Sequence, residues 1–152
     1  MQIFLISMVI AFSQSPISEV HRAIQQFKES ENERTFRRAM PKKLTFTCAI
    51  TSVDEDVSRG RHIKYTNPLN PSDESKQLWR SVSRRDHARM DVGDSIEVTF
   101  EVQVRRLERP SREGRDGPPP NRIARFNPLS KSKGITYFVW IDEKTAKIKL
   151  VR

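Results

Sequence analysis

Two stretches of this chain alternate between apolar and polar residues, and that period of two constrains the fold more than any other feature. In "KLTFTCAITSV", Leu44, Phe46, Cys48 and Ile50 fall on one face, and Thr45, Thr47, Ala49 and Thr51 on the other. In "SIEVTFEVQV", Ile96, Val98, Phe100, Val102 and Val104 oppose Glu97, Thr99, Glu101 and Gln103. A strand apolar on one face must lay that face on a core and leave the other to water. Antiparallel sheets allow this arrangement.

A helix precedes the first strand. Ser15 and Pro16 form an N-cap and first-turn pair, and Ile17, Val20, Ile24 and Phe27 follow at helical spacing. The pattern weakens, resumes at Phe36, Ala39 and Met40, and stops at Pro41, which fits one bent helix or two short ones. After the first strand, Asp54, Glu55 and Asp56 read as an acidic turn and "RHIKY" as a short partner strand. Leu78, Trp79 and Val82 suggest a helical turn before the basic run Arg84 to Arg89. Val92, Gly93 and Asp94 make a turn, Ile123 to Phe126 a short strand, and "ITYFVWIDEKTAKIKLV" a hairpin turning near residues 142 to 145.

The expected class is mainly β. It is a small antiparallel barrel or curled sheet of five to six strands with an N-terminal helix, since curling hides strand edges. The expected divisions are residues 1–15 as a leader, 16–41 as the helical segment and 42–152 as one β domain, with long loops at 66–90 and 105–133. A leading helix followed by "LTFTCAITSVDED" resembles exported bacterial OB-fold proteins of the tRNA-anti-like kind, over about fifteen residues. The resemblance implies an OB-like binding barrel and carries over no catalytic residue.

Residues 3 to 12 are apolar, too short a run to span a bilayer as a helix. Ala11, Ser13 and Ser15 follow, so the segment resembles a secretory signal, although no Lys or Arg precedes the run. A misassigned start or a short N-terminal strand would look similar. Export to the periplasm or outside is the favoured localisation, with the cytoplasm as the alternative if residues 1–15 are retained. Cys48 is the single cysteine, so it can form no disulfide within the chain and reads as a small core residue. His21, His62 and His87 are scattered and read as surface residues, so no metal site and no cofactor are expected.

The net charge of +9 makes an anionic partner reasonable, and its placement is uneven. Residues 59–90 carry eight Lys/Arg against three Asp/Glu, and residues 105–133 nine against three. The alternating strands with their turns are acidic. Arg84, Arg85 and Arg89 in one connection, and Arg105, Arg106, Arg109, Arg112, Arg115, Arg122 and Arg125 in the other, are therefore candidate polyanion contacts. Phe138 and Trp140 share one face of the last hairpin and could stack bases. The favoured reading instead has the N-terminal helix cover them, and the arginine-proline loop a solvated connection. The expected function is a non-enzymatic OB-like binding or interaction module, exported, with no ligand identified. One alternative is an intracellular nucleic-acid-binding OB domain using its basic loops. Another is an envelope protein contacting anionic lipid or cell-wall polymer. The sequence names no partner and no oligomeric state.

Overall fold

The computed structural model describes residues 16–56, 58, 60–107, 122–126, 129–130 and 135–151. Helix α1 (Pro16–Ser30) buries Val20, Ala23, Ile24 and Phe27, the stripe that the spacing indicated. It ends at Glu31, whose φ of 50° is left-handed and whose N–H donates to the Phe27 carbonyl at 2.8 Å. Asn32 then caps α2 (Glu33–Ala39) by accepting from the Thr35 N–H at 3.1 Å. Of the two arrangements that the sequence allowed, the structure adopts two short helices. Residues 1–15, the leader-like segment, lie outside the described residues.

The described strands form one curled antiparallel sheet, a half-barrel, as the class expectation had it. It contains eight segments, more than five or six: β1 (Lys43–Asp56), β2 (Gly60–Tyr65), β3 (Leu78–Ser81), β4 (Ser95–Leu107), β5 (Arg122–Arg125), β6 (Leu129–Ser130), β7 (Thr136–Asp142) and β8 (Lys147–Leu150). Their order is β3-β2-β1-β4-β7-β5, with β6 paired to β7 and β8 to β4. Curling follows from the length of β1. Its first half pairs with β4, and beyond an irregularity between Ile50 and Ser52 its second half pairs with β2. Leu44, Phe46, Cys48 and Ile50 are buried with Ile96, Val98 and Phe100 on the faces assigned to them, while Val102 and Val104, on the same face of β4, are half-buried against the core.

Four local expectations need correction. The acidic residues Asp54 to Asp56 lie within β1, not in a turn, because they remain paired to β2. Leu78, Trp79 and Val82 do not form a helical turn: β3 occupies Leu78–Ser81, Val82 follows it, and the helical turn is α3 (Arg84–His87) behind the Ser83 cap. The region 66–90 is therefore not one long loop. The last segment is not a hairpin either. β7 and β8 both pair with β4, with Val102 opposite Ile141 and Thr99 opposite Lys147. Between these pairs two residues on β4 thus face five on its partner, and the three-residue 3-10 turn Glu143–Thr145 is looped out of one interrupted strand. The Thr145 hydroxyl donates to the Asp142 carbonyl at 2.7 Å and accepts from the Glu101 N–H at 2.8 Å, which holds the loop on β4 and preserves the chain direction.

Helix α1 packs on the inner face of β7, not over Phe138 and Trp140. Phe27 meets Phe36 at 4.7 Å and Tyr137 at 5.0 Å between ring centroids, and Phe36 meets Tyr137 at 5.6 Å. The physical reason is period two. Tyr137, Val139 and Ile141 point to the core, and the helix adds its apolar stripe to that side. Glu33 ties α2 to the sheet by accepting from Arg106 Nη1 at 3.3 Å, and it also accepts from Arg37 Nε of its own helix at 3.1 Å.

Candidate binding surface

The pairing register brings four of the candidate residues together on the outer face of β4, β7 and β5. Arg105 stands directly opposite Phe138, and Trp140 lies between Gln103 on β4 and Arg125 on β5. Phe138 is half-buried, but Trp140 is only 8% exposed, so its ring is not an open stacking surface. Arg106 points to the opposite face, toward Glu33, and is not part of this cluster. Arg84 and Arg85 lie on α3 and Arg89 just beyond it, exposed, beside β2, which is four places from β5 in sheet order. The two basic groups therefore belong to different regions of the sheet. Arg109, Arg112 and Arg115 lie outside the described residues, and Arg122 opens β5 without a described side chain.

A different aromatic is open. Trp79 on β3 is 51% exposed and pairs with Lys64 on β2, on the sheet's outer face. His62, two residues along β2, is buried there, contrary to the expected surface position. Its ring meets the Trp79 indole edge-on at 6.0 Å, and its Nε2 lies 3.6 Å from Asp54 Oδ2. The Asp54 carboxylate also accepts from the Ser52 hydroxyl at 2.6 Å, while His87 Nε2 sits 3.1 Å from the Asp54 carbonyl. These contacts fix the wall from which Trp79 projects.

Trp79 divides two grooves of opposite character. On one side Asp54, Glu55, Asp56, His62 and Lys64 line a space of about 370 Å³. On the other, Arg80, Ser81, Glu143 and Lys144 line about 300 Å³. Burial, with the neighbouring Asp142 charge, pushes the Glu143 carboxyl above its ordinary value. The second groove leans positive because Arg80 and Lys144 outnumber Glu143 along it. An indole between an acidic and a basic rim offers an apolar anchor with charge contacts of both signs. Such an arrangement suits binding, and it differs from the uniformly positive track of a polyanion groove.

Sequence reasoning missed Trp79 because "LWRS" is too short to show a period. The available signal was its pairing partner: "HIKY" alternates, and a strand laid against it with Leu78 inward must turn Trp79 outward beside Lys64. No protein-family model, curated protein or solved structure matches this chain.

Proposed function

We propose that the protein is a non-enzymatic, OB-like binding or interaction module whose partner is another protein, engaged through the Trp79 face. One observation carries the reading: the half-exposed Trp79 indole projects between grooves of opposite charge. Tryptophan anchors surrounded by a polar rim are the usual centres of protein interfaces. The test places a photo-crosslinking residue at position 79 of the full chain in its native cells, with the exposed Val92 position as control. A protein adduct that forms at 79 and not at 92 supports the reading; nucleic-acid adducts, or none that depend on position, sink it. Export rests on residues 1–15 alone, and the mass of the native N-terminus decides it.

A second reading, contact with a polyanion, draws on the register that places Arg105 and Arg125 beside Phe138 and Trp140. Each neutralised phosphate on a single strand adds about −0.7 to the slope of log affinity against log salt. Replacing Arg105 and Arg125 with glutamine, together with residues 109 to 122 by a neutral Gly/Ser linker, is expected to leave both slope and affinity for single-stranded DNA unchanged. A clear fall in both would move the assignment to nucleic acid.

A further inference from the structure

We infer that the groove between β3 and the 3-10 turn Glu143–Thr145 accepts an extended peptide as an added strand on β3, with an acidic residue at its centre. The inference rests on reading the Trp79 face as a protein interface and specifies how the partner is held.

The geometry begins with one hydrogen bond. The Val82 N–H donates to the Arg61 carbonyl at 3.1 Å, in continuous register with the pair Ser81–His62. In an antiparallel ladder alternate residues bond to the same neighbour. Arg80 and Leu78 therefore direct their main-chain groups to β2, and Trp79 and Ser81 direct theirs to the opposite side. Among the described residues no strand continues the sheet beyond β3. The open side thus presents two N–H donors and two carbonyl acceptors at a spacing of two residues. That is the template an incoming strand requires.

The groove is built from this edge. Trp79, Arg80 and Ser81 form one wall and Glu143 and Lys144 the other, and a long hydrogen bond from Arg80 Nη1 to the Lys144 carbonyl, at 3.4 Å, crosses between them. A three-residue strand about 10 Å long matches the reach from Trp79 to Ser81. Its first and third residues exchange main-chain bonds with Trp79 and Ser81, and their side chains lie on the outer face, one against the indole. Its middle side chain falls on the Arg80 face, where Arg80 and Lys144 outnumber Glu143. An acidic residue is the complement there, and the net charge of +9 favours encounter with an acidic segment. The competing explanation is that β3, four residues long with a charged Arg80, is simply a blunted edge.

The two explanations separate on one titration. The full chain, ¹⁵N-labelled, is titrated with acetyl-Thr-Val-Glu-Val-Thr-amide while amide shifts are followed. Saturable shifts at Trp79, Ser81 and Lys144 are expected. N-methylation of both valine amides should weaken binding at least tenfold, and a lysine in place of the peptide's glutamate should weaken it similarly. In the protein, Ser81→Pro removes a donor on the open side and leaves the bonds to β2, so the fold and its melting temperature should persist while peptide binding is lost. Trp79→Ala removes the indole contact but should retain a weaker, N-methyl-sensitive shift at Ser81. Absence of a saturable shift at Trp79 and Ser81, or binding that survives N-methylation, overturns strand addition and leaves a blunted edge. If strand addition holds while crosslinking at 79 captures no protein, the broader reading is the one that fails.

Discussion

Truncating Phe27 tests how the helical segment is joined to the sheet. The side chain is 2% exposed and closes a triangle of rings with Phe36 and Tyr137, so Phe27→Ala opens a cavity among three elements. Such truncations cost about 3–5 kcal/mol where neighbours cannot collapse into the space. Against a typical domain stability of about 5–15 kcal/mol, a large share of the margin is at stake. For a chain of this length each kcal/mol lowers the melting temperature by about 2–4 °C, so a fall of about 6–20 °C is expected. Urea unfolding of the single and double variants then locates the contact. A Phe27→Ala/Tyr137→Ala cycle should show a coupling of about 0.5–1.5 kcal/mol, and a Phe27→Ala/Phe138→Ala cycle about zero. Hydrogen exchange should show lost protection first in α1. A loss under about 1 kcal/mol, or stronger coupling to Phe138 than to Tyr137, would refute the packing described for β7.

Phe46 and Phe100 face one another at 6.0 Å on the buried faces of β1 and β4, and alanine at either position should cost about 3–5 kcal/mol in denaturant melts. Burial pushes the Cys48 thiol up to about 11, so the folded protein should resist thiol-specific reagents at pH 8 and react on unfolding; rapid labelling of native protein would contradict the core position. The Glu33 carboxyl is held below its ordinary value, first by the nearby Tyr137 hydroxyl and then by Arg37 and Arg106. Its folded-state value is the depressed one, so its contribution is present above the ordinary carboxylate range and is lost as pH falls through the folded value. Melting temperatures of Glu33→Gln should therefore lie below those of the parent at neutral pH and converge with them in acid; parallel curves would contradict this.

The candidate residues were only partly legible because a binding surface depends on which strands meet. Nothing local in "RIAR" or "TYFVW" shows that Arg125 stands opposite Trp140, or that Arg106, adjacent to Arg105, turns to the other face and meets Glu33. His62 reads as a surface residue because the histidines are scattered and stand in no ligand motif, yet its ring is buried against the Trp79 indole.

What the sequence determined by itself was everything carried by local periodicity. The stripe of Val20, Ile24 and Phe27 defines α1, and the alternation around Phe46 and Phe100 defines the two long strands and their buried faces, because each side chain's direction follows from the backbone repeat. Tertiary structure decided the rest. Segments of four residues have no readable period, so β3 became a strand only by pairing with β2, and that pairing turned Trp79 outward. The composition at 142–145 signals a turn, but whether a turn reverses the chain or bulges out of a continuing strand depends on β4 holding both flanks. The helix chose the Tyr137 face over the Phe138 face for the same reason: both are apolar in sequence, and only the curl of the sheet makes one of them the inside.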